Sequence, residues 1–304
     1  MLNKLKILKE IKKHKAKKIF LQIPEGLKTK ALDLVGFLEK NGLTVYLSAE
    51  TCYGACDLRN REAEVLGCDL ILHLGHSDMG IKTNIPVVYY EVRINYNPVP
   101  VLKKYTDLLK PYEKISLLTT VQFLSALEKA KELLEKQGKT ILMKKPNKAK
   151  YPGQVLGCDY SAAVENADCF LFIGSGEFHP LGLAERTEKP VFFLDVEKGV
   201  IKRMENRLYR IKFAGIEKCK EMKRFGILVS VKPGQFNPNL AERIKKALES
   251  KGKRAWVLVF DEITPEKIMG LGLECLVNCA CPRITEDVGL FKKPVLGPED
   301  VKKL

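Results

Sequence analysis

The sequence predicts an α/β protein of three similar domains, each a parallel sheet flanked by helices, arranged about a pseudo-threefold axis. Two observations predict it. One unit recurs three times along the chain, and inside each unit near-continuous apolar runs alternate with amphipathic ones. Strands that read as continuously apolar are buried on both faces, as in parallel sheets covered by helices.

The first half of the unit is KKIFLQIPEGLKTKALDLVGFLEKNGLTVYL (17–47), EKISLLTTVQFLSALEKAKELLEKQGKTILM (113–143) and RFGILVSVKPGQFNPNLAERIKKALESKGKRAWVLVF (224–260). Each copy reads as strand, turn, amphipathic helix, glycine and second strand. Gly42, Gly138 and Gly252 stand where a helix stops. The second half is CDLILHLGHS (68–77), DCFLFIGSG (168–176) and ECLVNCACP (274–282). Aligning Asp69, Asp168 and Glu274 brings His76, Ser175 and Cys281 into register. A last strand follows at 85–92, 189–196 and 293–296, and Pro86, Pro190 and Pro294 are evenly spaced. The expected domains are 1–97, 98–198 and 199–304, with a Lys/Arg-rich helix over 201–222 opening the third. The Lys-rich N-terminus reads as an amphipathic helix and lacks the apolar core and cleavage site of a secretory signal.

Composition sets the class. The chain has 304 residues, 45% hydrophobic and 29% charged, enough apolar content for sizeable cores. No run approaches the length needed to span a bilayer, so the expectation is a cytoplasmic protein without a membrane partner. The net charge of +15 suits an acidic partner or a Lys/Glu-rich surface. No zinc finger or aromatic RNA-binding signature is present, so direct nucleic-acid binding is not expected.

Nine cysteines in such a chain read as buried thiols or metal ligands rather than disulfides. Cys56, Cys158 and Cys281 lie where strands end, beside glycine or proline, in loops that can approach a ligand closely. In open α/β sheets ligands sit beyond the carboxyl ends of the strands. Three thiolates from three units suit a 4Fe–4S cluster with one open iron better than structural zinc, which takes four ligands with at least one closely spaced pair. Cys52, through Cys-x3-Cys with Cys56, and Cys279, through Cys-x-Cys with Cys281, are rival ligands. Cys68, Cys169 and Cys275 read as core residues and Cys219 as a packing residue.

PEGL (24–27), YGACD (53–57), GHS (75–77), PGQVLGC (152–158), IGSGEFHPLGL (173–183) and CPR (281–283) resemble the archaeal diphthamide synthase iron–sulfur subunit, the 3-amino-3-carboxypropyl transferase family of diphthamide biosynthesis. The resemblance runs from about residue 17 to 301. It implies a homodimer with a 4Fe–4S cluster on Cys56, Cys158 and Cys281, using S-adenosylmethionine and an electron donor. The implied reaction breaks the bond between sulfur and the γ-carbon, releases methylthioadenosine and adds the 3-amino-3-carboxypropyl radical to a histidine of translation elongation factor 2. The usual radical-SAM motif, Cys-x3-Cys-x2-Cys, is absent, as that family leads one to expect. Candidate substrate contacts are Glu25, His76, Gln154, Ser175 and His179, each with a structural alternative: capping for Glu25, loop ordering for Gln154, a tight turn at Ser175 and hydrogen bonding for the histidines. The other enzyme reading is an iron–sulfur dehydratase or condensing enzyme of the quinolinate synthase type. The non-enzymatic one is an electron carrier or assembly scaffold with a closed four-ligand cluster.

Overall fold

A computed structural model describes residues 2–205, 208–285 and 288–304. They form two compact units, 1–204 and 205–304.

The first unit opens with α1 (Lys4–Lys13), where Asn3 accepts from the Lys6 N–H as an N-cap and Ile7, Leu8 and Ile11 face inward. Then come β1 (Lys18–Gln22), α2 (Ala31–Lys40), β2 (Thr44–Leu47), α3 (Asn60–Val65), β3 (Leu70–Leu74) and β4 (Val87–Tyr90), which pair in the order β2-β1-β3-β4, all parallel. The short helices α4 (Val99–Lys104) and α5 (Thr106–Leu109) lead to the second sheet. There β5 (Lys114–Thr119), α6 (Leu124–Lys136), β6 (Thr140–Leu142), β7 (Cys169–Gly174), α7 (Phe178–Ala184) and β8 (Val191–Asp195) repeat the order β6-β5-β7-β8. One strand departs from the sequence expectation. β9 (Val200–Arg203) turns back antiparallel against β8, so residues assigned from sequence to the third domain complete the second sheet.

The second unit begins with α8 (Leu208–Glu221), not at 201 as expected, because β9 occupies the stretch before it. β10 (Arg224–Ser230), α9 (Pro238–Glu249), β11 (Arg254–Phe260), β12 (Cys275–Asn278), α10 (Val288–Phe291) and β13 (Val295–Leu296) again give β11-β10-β12-β13, all parallel.

Two repeated devices explain the alignment of the three copies. Gly42, Gly138 and Gly252 have φ of 83°, 79° and 73°, and the residue after each returns its N–H to a carbonyl of the last helical turn: Leu43 to Leu38, Lys139 to Leu134 and Lys253 to Leu248. Such a stop needs a left-handed residue, which glycine supplies without strain. The aligned acids tie two strand starts together. Asp69 accepts from the N–H groups of Lys17 and Lys18, Asp168 from Glu113 and Lys114, and Glu274 from Lys223 and Arg224, all at 2.7–3.0 Å. Backbone donors the sheet would otherwise leave open are thereby satisfied. Apolar clusters cover both faces of each sheet. Cys219 and Cys275 differ from expectation. Both lie in the core of the second unit, as predicted, but α8 sets Cys219 over the start of β12 and the two are joined as a disulfide, with Cα atoms 6.2 Å apart.

Candidate iron–sulfur site

The order 2-1-3-4 places a switch point between the first and third strands of every sheet, and the motifs gather at the carboxyl ends of those strands. In the first unit they touch one another in succession. Gly75 has φ +88°, and the space a Cβ would fill, 2.9 Å from the nearest ring carbon, is taken by Pro24 of the PEGL segment. Next to it, Ser77 accepts from Gln154 Nε2 at 2.7 Å. Gly153 has φ +72°, and a Cβ there would lie 2.9 Å from the Leu117 carbonyl oxygen. That close approach lets the loop pair with β5 through Thr119 N–H to the Gly153 carbonyl and Val155 N–H to the Thr119 carbonyl. Four residues on from Gly153, a Cβ on Gly157 would meet the Phe178 ring at 2.5 Å, so the PGQVLGC loop lies directly against the segment bearing His179.

The three cysteines singled out from sequence share a property the other six lack. Cys56, Cys158 and Cys281 are partly exposed, whereas Cys52, Cys68, Cys169 and Cys279 are buried and Cys219 and Cys275 are bonded to each other. A neighbouring polar side chain orders each of the three loops. After Cys56, buried Asp57 accepts from the Tyr53 N–H and pairs with buried Arg59, while Gln22 at the end of β1 donates to the Asp57 carbonyl. Cys158 sits in a tight turn closed by the reciprocal bonds Leu156 N–H to Asp159 and Asp159 N–H to Leu156, both 3.0 Å. The Asp159 carboxylate accepts from the N–H groups of Lys148 and Ser161 and from the Ser161 hydroxyl. In the second unit, Asn278 at the end of β12 donates to the Cys281 carbonyl at 2.7 Å and accepts from the Ala280 N–H. Preordered loops with reachable thiols fit a metal cluster, which needs thiolates at little reorganisation cost. Burial raises the Cys158 thiol above its ordinary pKa, so a proton leaves as metal enters.

The rival cysteines are placed differently. Cys279 packs in the core of the second unit, where burial pushes its thiol up to about 11. The Cys52 thiol lies 4.0 Å from His73 Nε2.

The candidate substrate contacts divide by exposure. Glu25 is exposed and ion-paired with Lys28 at 2.6 Å. Pro24, not Glu25, holds the cap position of the short 3-10 turn Glu25–Lys30, so the capping alternative does not hold. Ser175 is exposed between two glycines. The buried Gln154 amide orders its own loop, accepting from the N–H groups of Lys150 and Tyr151. His179 stacks on Phe172 at 5.8 Å and meets Phe178 edge-on at 4.8 Å. His76 turns back onto His73, with Nδ1 3.0 Å from Nε2. Burial pushes His73 down to about 3, with His76 adding to the shift, and His76 down to about 4, so both rings are neutral at physiological pH.

Sequence reading missed Gln22 and His73. His73 interrupts the apolar run of β3 and Gln22 ends the buried run of β1, and those polar positions were the available signal.

Residues 23–303 match the family model "Putative diphthamide synthesis protein". The chain belongs to this family. It is 40% identical to the 2-(3-amino-3-carboxypropyl)histidine synthase of Pyrococcus horikoshii, over 99% of this chain and 89% of that one. It is 30% identical to subunit 1 of the corresponding synthase of Saccharomyces cerevisiae, over 97% of this chain and 72% of the relative. The crystal structure of Dph2 from Pyrococcus horikoshii with a 4Fe–4S cluster superposes with a TM-score of 0.95 at 39% identity, covering 100% of this chain and 90% of that one. Among the described residues, no helix is long and apolar enough to cross a membrane.

Proposed function

We propose that the protein is a 2-(3-amino-3-carboxypropyl)histidine synthase, a transferase that carries out the first step of diphthamide biosynthesis. The 3-amino-3-carboxypropyl group of S-adenosylmethionine goes to a histidine of translation elongation factor 2. The observation that carries this reading is the exposure pattern of the cysteines: one half-exposed thiol on each sheet, and the rest buried or bonded. The family match over nearly the whole chain supports it.

Cys56, Cys158 and Cys281 are the proposed ligands of a 4Fe–4S cluster. Bound there, the cluster supplies an open iron for the sulfonium substrate and the electron that breaks the bond between sulfur and the γ-carbon. The remaining tasks fall to the chain. Glu25 offers a carboxylate to the substrate ammonium group once Lys28 yields it, and Ser175 offers a hydroxyl in a glycine-flanked turn suited to an anion. Gln154 and Ser77 hold the first two switch points together, so groups on either loop keep a set position. His76 and His179 border the same loops. The homodimer, the external electron donor and the cytoplasmic setting belong to this reading, and the charge of +15 suits an acidic protein partner.

The test is anaerobic. Reduced, cluster-loaded protein is incubated with the elongation factor and S-adenosylmethionine labelled in the aminocarboxypropyl group. Release of methylthioadenosine with equal label in the factor is expected. Cys56→Ala, Cys158→Ala and Cys281→Ala should abolish both, and Cys68→Ala and Cys279→Ala should retain both. A dehydratase or condensing enzyme would release no methylthioadenosine, and that result overturns the proposal.

A further inference from the structure

We propose that Cys52, His73 and His76 form a second metal site, separate from the three half-exposed cysteines, that takes one zinc-class divalent ion. The three ligand atoms lie within 4.8 Å of one another. His73 Nε2 is 3.0 Å from His76 Nδ1 and 4.0 Å from Cys52 Sγ. A tetrahedral zinc ion, with bonds of about 2.0–2.1 Å to nitrogen and about 2.3 Å to sulfur, sets edges of about 3.3 Å between nitrogens and about 3.6 Å from sulfur to nitrogen. The nitrogen pair is slightly closer than its edge at 3.0 Å, the sulfur–nitrogen pair slightly wider at 4.0 Å, and the remaining pair lies within 4.8 Å, so small side-chain movements close the site. One thiolate with two imidazoles is a donor set that favours zinc over the hard oxygen-seeking cations.

The surroundings fix the tautomer that ligation needs. The Gln22 amide is oriented from both ends: its Nε2 donates to the Asp57 carbonyl and its Oε1 accepts from the Arg59 N–H at 3.2 Å. Oε1 therefore faces His73 Nδ1, at 3.3 Å, as an acceptor, and Nδ1 must carry the proton. His73 Nε2 is left with its lone pair directed at His76 and Cys52. A carbonyl-type oxygen behind one ring nitrogen and a metal on the other is the usual arrangement of a ligating histidine. In the metal-free chain, His76 Nδ1–H donates to that lone pair. On binding, the ion takes its place, His76 holds its proton on Nε2, and the Cys52 thiol releases one. Tyr89 packs beside His73 at 5.3 Å, and its buried hydroxyl has no hydrogen-bond partner among the described residues. A water on the fourth position of the ion is a group that hydroxyl could bond.

The site does not depend on the transferase reading, and its test reads the metal rather than turnover. Cluster-loaded protein is stripped of loose metal on a chelating resin, given one equivalent of zinc or cobalt(II), desalted and analysed for metal and iron. One ion retained per chain, unchanged iron, and a cobalt spectrum with tetrahedral ligand-field and sulfur-to-cobalt charge-transfer bands are expected. Cys52→Ser and His76→Gln should each lose the retained ion while keeping iron and the circular dichroism of the parent. Cys279→Ser should lose nothing. Wild-type protein that retains no ion, variants that retain as much as wild type, or iron lost as zinc enters would each overturn the site.

Discussion

Asp69, Asp168 and Glu274 each hold two backbone N–H groups at the start of a neighbouring strand, and those bonds are the largest cause of the lowered pKa of every one of the three. The sign of the consequence follows. A carboxylate whose folded pKa is depressed stabilises the fold above its unfolded pKa of about 4, and that contribution fades as pH falls through the lower folded value. Asp69→Asn, Asp168→Asn and Glu274→Gln should therefore lower the melting temperature at neutral pH and flatten its decline towards about pH 3. Asp69 and Asp168 are exposed and Glu274 partly so, so each effect should be small, and a decline as steep as that of the parent would show that the acid limb arises elsewhere. These acids were legible in sequence because they recur in register. The partial exposure of Cys56, Cys158 and Cys281, the proposed ligands, matches their placement in sequence at strand ends beside glycine or proline. His73 and Gln22 were not legible, because a polar residue in a strand shows only that something unusual is buried. The partner that gives it meaning comes from a strand or loop remote in sequence.

The three copies of the strand–helix–strand element were also legible, down to the glycine that stops each helix, because the signal is local: hydrophobic period, turn residue and stop. What was not legible depends on pairing over distance. β9 reads as the start of a basic helix, and it is a strand only because the edge of β8 is there to receive it. The disulfide joins residues 56 apart in sequence, and no spacing motif announces it. Its stability effect can be measured. Closing a loop of 56 residues lowers the entropy of the unfolded chain by about 4 kcal/mol in the chain-entropy model, and measured values for single bonds run from about 2 to 4 kcal/mol. Cys219→Ser should lower the melting temperature of the second unit. Reductant should lower that of the parent to the same degree and leave the variant unchanged. Equal reductant sensitivity in both proteins would show that the bond adds no stability.

At the scale of the molecule, the three cysteines proposed as ligands stand outside the cores. Every sheet carries apolar clusters on both faces, built from its own strands and the helices around it. Leu72, Leu171 and Val277, at equivalent strands of the three repeats, are fully buried. Cys56, Cys158 and Cys281 belong to none of these clusters. A chain folded around its metal, as a zinc finger is, would lose its structure with the ion. A chain whose apolar burial is complete without the ligands should keep it, because each deeply buried large side chain contributes about 1.5–3 kcal/mol whether or not iron is bound. The partial exposure of the proposed ligands Cys56, Cys158 and Cys281 should also leave the cluster open to oxidants. Air should therefore bleach the brown protein and end methylthioadenosine release, while helix content and the cooperative unfolding transition persist. Circular dichroism and calorimetry on the same sample, before and after bleaching, separate the outcomes. Loss of both signals together with the colour would make the cluster a structural element and undercut its assignment to catalysis.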